Sequence, residues 1–213
     1  MTTVAIDGPG GAGKSTLARQ LAERLGVERL DTGAMYRAVA WAALRRGVDL
    51  DDAEAVGALA ASLHLQVGTT VTVDGADATA GIRSPAVDAA VSTVAANPAV
   101  RAELVKRQRA WVEARGGGVV EGRDIGTVVL PDADLKIYLT ASPEERARRR
   151  AGERGAEQRL AEVAAQLARR DHLDSTRAVS PLRRPDDVAD GAVVVDSTGR
   201  TADQVLQEVL EWL

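Results

Sequence analysis

The nine residues from Gly8 to Thr16, GPGGAGKST, combine four glycines, one lysine and two hydroxyls. They satisfy G-x-x-x-x-G-K-[ST] in full, between an apolar run from Thr2 to Asp7 and a segment where Leu17, Leu21 and Leu25 recur every fourth residue before Gly26. That context is strand, glycine loop, helix. Glycines let successive backbone N–H groups converge on phosphate oxygens without a Cβ in the way, and a helix starting there turns its positive end toward the same anion. Gly8, Pro9, Gly10, Gly11, Ala12, Gly13, Lys14, Ser15 and Thr16 are therefore the expected nucleotide-binding residues. Lys14 is expected to bridge the β and γ phosphates, and Ser15 to hold Mg²⁺.

A phosphate loop means nucleotide; it does not by itself mean kinase. A GTPase would carry an N-K-x-D guanine reader, which this sequence lacks. DSTG, Asp196 to Gly199, imitates a switch motif but sits just before the C-terminal helix, so it reads as a strand-to-helix turn.

Three further clusters call for a second, anionic substrate. In LDTGAMYR, Leu30 to Arg37, a helix opening at the Asp31-Thr32-Gly33 turn lets Tyr36 and Arg37 face a site. In EGRD, Glu121 to Asp124, charged residues follow a buried strand directly, at the carboxyl edge where open α/β sheets bind ligands. In RDHLDSTR, the four- and three-residue spacing of Arg170, Asp174 and Arg177 places all three on one helical face. An ordinary ion-pair ladder would show the same spacing. The stretch Ser142 to Arg150 has Glu144 with Arg148 and Glu145 with Arg149 at pairing distance, which leaves Arg146 and Arg150 on a face that can turn toward ATP.

The elements that must position these residues follow from periodicity. Gly118 to Glu121, Leu135 to Leu139 and Ala192 to Asp196 are short apolar strands separated by helical patterns, which predicts a parallel sheet covered by helices on both faces. Leu63 to Ile82 alternates Thr and Val with Gly turns, as a small antiparallel excursion does. Ser142, Pro143 and Glu145 supply an N-cap, a proline at the first helical position and a capping-box glutamate.

Composition removes whole classes of chemistry. With no cysteine and only His64 and His172, disulfides, thiol nucleophiles and zinc–thiolate sites are excluded. A net charge of −4 argues against bulk electrostatic binding to nucleic acid. No apolar run approaches the length of a membrane span, and the N-terminus enters a strand without a signal-peptide pattern, so we expect a soluble, cytoplasmic protein. A monomer is expected as well. Of the 27 basic residues only Lys14, Lys106 and Lys136 are lysine. The rest are arginine, whose planar fork pairs with phosphate in two places, although codon bias alone produces such an excess.

Taken together, IDGPGGAGKST, LDTGAMYRAVA, STVAANPAVR, RQRAW, VVEGRDIGTVVLPDADLKIYL and RDHLDSTRAVSPL resemble the bacterial cytidylate kinases, in that family's order and across nearly the whole chain. The resemblance implies a P-loop kinase with a core at 1–60, 86–145 and 178–213, a monophosphate-binding insert at about 61–85 and an arginine-rich lid at about 146–177. It implies ATP and CMP or dCMP as substrates, with Mg²⁺ accompanying ATP. Ser92, Arg101 and Asp124 would read cytosine, Asp174 and Arg170 the ribose, and Arg37, Arg123 and Arg177 the CMP phosphate. Thr32 and Tyr36 join these CMP-binding residues. Arg146 and Arg150 join the ATP-binding set, and Lys14, Arg123, Arg150 and Arg177 carry the catalytic roles. The chain departs from some members in having Ser15 after the lysine instead of Gly, and in a rather short insert. Two other readings stay open: a kinase for a different small acceptor, and a nucleotide-dependent switch.

Overall fold

The computed structural model describes residues 2–153, 155 and 157–213; Arg154 and Ala156, inside the stretch read as a lid, lie outside the described residues. The chain divides into two compact units, one of Met1–Arg29 with Gly116–Leu213 and one of Leu30–Arg115.

The first unit is built around strands β1 (Thr3–Asp7), β6 (Gly118–Glu121), β7 (Leu135–Thr140) and β8 (Ala192–Asp196), numbered in chain order among the strands of the described residues. They run parallel, and with β2 (Arg29–Asp31) at the unit boundary they give the order β2-β6-β1-β7-β8. Val4, Ile6, Val119, Ile137 and Leu139 are almost fully removed from water, each worth roughly 1.5–3 kcal/mol of burial. Because β1 is central, the segments leaving β1, β6 and β7 emerge side by side at one sheet edge.

Helix α1 (Lys14–Leu25) follows β1 and buries Leu17, Ala18, Leu21 and Ala22, the stripe read from the leucine spacing. Gly26 ends it in a left-handed conformation, as a residue without a Cβ does most readily. Helix α6 (Pro143–Glu153) starts where the sequence signals it, with Glu145 N–H donating to Ser142 Oγ at 3.2 Å. The reciprocal half of the expected capping box is not used. Ser142 N–H donates instead to Thr198 Oγ1 at 2.8 Å, and the Glu145 carboxylate is taken by Arg149 and Arg148. Helices α7 (Leu160–Thr176) and α8 (Ala202–Leu210) complete the unit, α8 opening with a capping box between Thr201 and Gln204.

The second unit is wider than the segment 61–85 read as an insert. A small antiparallel sheet, β3 (Leu65–Val67), β4 (Val71–Val73) and β5 (Ala76–Asp77), gathers with helices α2 (Thr32–Arg46), α3 (Ala53–Ser62), α4 (Pro85–Ala96) and α5 (Pro98–Arg115). Residues 30–60 and 86–115 group here because α2 packs on α4 and α3 on α5, burying Val39, Val56, Val87, Val91 and Leu104.

Candidate functional site

The glycine loop is shaped by its neighbours. Gly8 has φ +141°, and a Cβ there would sit 2.0 Å from the Leu139 carbonyl oxygen. Gly11 has φ +77° and lies so near the Arg146 backbone that a Cβ would come within 2.8 Å of its carbonyl. Lys14 begins α1 and folds back, its Nζ donating to the carbonyls of Gly8 at 2.7 Å and Pro9 at 2.8 Å. Burial, and then Arg123, hold its ammonium below the ordinary lysine value of 10.5, with Arg170 adding to this and Glu121 and Asp7 opposing it. A cation destabilised by other cations marks an excess of positive potential, which a polyphosphate relieves.

Ser15 Oγ donates to Glu121 Oε2 at 2.8 Å. Glu121 ends β6, is buried and has Arg29 Nη1 at 3.7 Å. It opens the EGRD cluster, of which only Arg123 and Asp124 were expected to meet a substrate; its one signal was a carboxylate closing an apolar strand. Asp7, also not singled out, ends β1 and accepts from the backbone N–H of Ile125 at 2.7 Å and of Gly126 at 2.8 Å.

Arg123 connects the clusters. Its Nη1 donates to the Gly8 carbonyl at 2.6 Å, and its Nε lies 3.1 Å from Asp174 Oδ2. Asp174 is buried near the end of α7, with Arg170 Nε at 3.8 Å. Arg177 does not share the helical face expected from its spacing. Helix α7 stops at Thr176, and Arg177 caps it with extended backbone (φ −62°, ψ 142°). From there its Nε donates to the Ser180 carbonyl at 2.6 Å and its Nη2 lies 3.9 Å from Asp124 Oδ1. Thus the EGRD and RDHLDSTR clusters meet through two ion pairs.

On α6, Arg146 reaches the phosphate loop: its Nη1 donates to the Gly10 carbonyl at 3.1 Å and pairs with Asp171. Arg150 pairs with Glu153 at 2.9 Å. Arg149, read from the sequence as an ion-pair partner of Glu145, does more. It bonds Glu145 at 3.0 Å, but its Nη1 also donates to Ser197 Oγ at 2.9 Å and to the Ala12 carbonyl at 3.3 Å. The DSTG turn thereby locks onto the phosphate loop. Beside it lies a cavity of about 390 Å³ with Leu17, Leu139, Val205, Arg149 and Arg200 in its walls.

In the second unit, Asp31 caps α2 by accepting from Ala34 N–H at 3.0 Å, and Thr32, Tyr36 and Arg37 are buried on that helix. Arg37 donates to the Ile82 carbonyl at 2.9 Å and to Asp88 Oδ1 at 2.5 Å. Asp88 had no sequence signal; it lies one turn before Ser92 on α4, so the two share a face. Arg101, on α5, is buried with its guanidinium 5.7 Å from the Tyr36 ring centre. Within this unit Tyr36 thus pairs with Arg101, and Arg37 with Asp88.

A phosphate loop on the central parallel strand, with arginines gathered at its mouth, defines a P-loop kinase. The family model for cytidylate kinase matches residues 4–213. A cytidylate kinase of Rhodococcus opacus (strain B4) is 53% identical over 97% of this chain and 92% of its own. One of Pelotomaculum thermopropionicum is 50% identical over 97% of this chain and 93% of its own. The chain belongs to the cytidylate kinase family. A gluconokinase structure from Sinorhizobium meliloti 1021 superposes with a TM-score of 0.53 at 13% identity, covering 99% of this chain and 90% of that one; this likeness concerns the fold alone.

Proposed function

We infer that this chain transfers the γ-phosphoryl group of MgATP to CMP, and to dCMP, giving CDP or dCDP and ADP. The observation that carries the reading is Arg123, whose guanidinium joins the Gly8 carbonyl of the donor loop to Asp174 of the acceptor cluster. An oxygen of the acceptor phosphate attacks the γ-phosphorus in line as the bond to the β–γ bridging oxygen breaks, and ADP leaves. The attacking oxygen is already ionised, so no protein nucleophile is needed. The work is positioning and charge neutralisation by Lys14, Arg123, Arg177 and Arg150.

In this reading residues 8–16, Arg146 and Arg150 hold ATP, and the cavity beside Arg149 and Ser197 takes its base. Ser92, Arg101 and Asp124 read cytosine, whose amino group donates where uracil has an acceptor. Arg170 and Asp174 hold the ribose, and Arg37, Arg123 and Arg177 the monophosphate, with Thr32 and Tyr36 alongside. The Ser15 hydroxyl and Glu121 carboxylate, 2.8 Å apart, are hard oxygen donors that suit Mg²⁺. Bound there, Mg²⁺ would neutralise charge on the ATP phosphates. Among the described residues no three His, Cys, Asp or Glu side chains gather to hold a metal; in this reading the oxygens of the nucleotide would supply the remaining donors. Among the described residues, too, no helix is long and apolar enough to cross a membrane. The reading places the enzyme in the cytoplasm as a monomer. Chromatography of a reaction with MgATP and CMP tests it: CDP and ADP are expected in equal amounts, and ADP without CDP would overturn it.

A further inference from the structure

We propose that Asp7 is a positioning residue for cytidylate recognition, its carboxylate fixing the backbone from which Arg123 and Asp124 project. The proposal rests on the reading that Arg123 and Asp124 meet CMP.

Asp7 is the last residue of β1, directly before Gly8, and only 7% exposed. Its two carboxylate oxygens are divided between consecutive amides: Oδ1 accepts from Ile125 N–H at 2.7 Å and Oδ2 from Gly126 N–H at 2.8 Å. Those amides open the π-type turn Ile125–Val129, which begins immediately after Asp124. Two adjacent N–H groups aimed at one carboxylate form a small anion seat. It fixes the direction in which the chain leaves Asp124, and Arg123 returns from the same loop to the Gly8 carbonyl at 2.6 Å. Asp7 therefore ties the start of the phosphate loop to the loop read as the cytidylate reader.

The choice of a carboxylate has a cost. Burial pushes the Asp7 carboxyl up to about 6, with Asp124 adding to the rise while the two amide bonds and Lys14 oppose it. Arg123, Lys136, Tyr138 and Arg183 border the small cavity, about 10 Å³, on which Asp7 also opens. Asparagine has the same shape and no charge to desolvate. However, an amide offers one acceptor oxygen and two N–H donors, so it satisfies one of the two backbone amides and faces the other with a donor. The anion is kept where a neutral isostere would fold more cheaply, and the geometry gives the reason: only the ionised form accepts from both amides. Below about pH 6 the carboxyl is protonated and one oxygen becomes a donor, which loosens the seat.

The test is made on the full chain, with CMP and UMP as acceptors. In the unmodified enzyme, the ratio of kcat/KM for CMP to that for UMP is followed from pH 5 to pH 8. Both acceptors carry the same phosphate, whose own titration near pH 6 cancels in the ratio. The ratio is expected to fall as pH drops through about 6; a ratio constant with pH would overturn the proposal. For Asp7→Asn, KM for CMP is expected to rise about tenfold, the size of one lost hydrogen bond. KM for ATP should stay within about twofold, the CMP to UMP ratio should lose its pH dependence, and the melting temperature at pH 7 should hold or rise. A lower melting temperature with unchanged KM for CMP, or an equal rise in both KM values, would mean that Asp7 serves folding or the phosphate loop instead. Should the variant fail to fold, the pH series on the unmodified enzyme still decides. An unmodified enzyme that does not prefer CMP to UMP at any pH would refute the base reading itself, separately from the role of Asp7.

Discussion

Arg123 Nε lies 3.1 Å from Oδ2 of Asp174, and both side chains are largely buried. Because the same guanidinium donates to the Gly8 carbonyl, one planar group spans the phosphate loop and the end of α7. Lysine has the charge but not the fork. Arg123→Lys is therefore expected to lower kcat about 100-fold, in the range seen when one transition-state donor is lost. The melting temperature should change little, because Asp174 keeps a cation. Steady-state kinetics beside thermal unfolding check this; equal losses of activity and stability would make the pair structural.

Arg177 sits past the end of its helix and faces Asp124 at 3.9 Å. If it clamps the acceptor phosphate, Arg177→Ala should cut turnover with CMP by about 100-fold or more while MgATP binding is preserved. Isothermal titration with a non-hydrolysable ATP analogue separates the two effects. Loss of nucleotide affinity in step with turnover would move Arg177 to the donor side.

Lys14 carries a sign that can be measured. Its ammonium is held below 10.5 mainly by burial, so between that depressed value and 10.5 the unfolded chain binds more protons than the folded one. Its contribution to stability therefore rises with pH across that window and is lost as pH falls. Lys14→Met should unfold at higher urea than the unmodified protein at pH 7, with the difference shrinking toward pH 10, and should be inactive in transfer. A variant less stable at pH 7 would mean that the bonds to Gly8 and Pro9 outweigh the cost of burial.

Ser197 is 3% exposed, accepts from Arg149 at 2.9 Å, and its Oγ lies 2.9 Å from the Ala12 and Thr140 carbonyls. Ser197→Ala leaves the Arg149 fork a partner short beside the cavity assigned to the donor base. KM for ATP should rise about tenfold, as expected for one buried hydrogen bond, with KM for CMP unchanged. Parallel changes in both constants would argue against that assignment.

What the sequence disclosed was local. The phosphate loop, the leucine stripe of α1 and the Ser142 cap are each contained within a dozen residues, and periodicity and capping chemistry act over that range. Strand β2 escaped notice because three residues carry no period. Asp88, Asp7 and the bond of Glu121 to Ser15 escaped because the partners, Arg37, the amides of Ile125 and Gly126, and Ser15, lie far off in the chain. Arg177 shows the limit from the other side: its spacing fits a helix face, but the helix ends one residue earlier, and a cross-chain carboxylate decides where the side chain goes.

The most direct measurement is ADP release from MgATP on the purified protein with CMP, dCMP, UMP, AMP, GMP or no acceptor, run side by side. Fast release only with the cytosine nucleotides is the expected result and would establish the reaction and the base reading together. Equal, slow release in every reaction would contradict the transfer of phosphate to cytidylate.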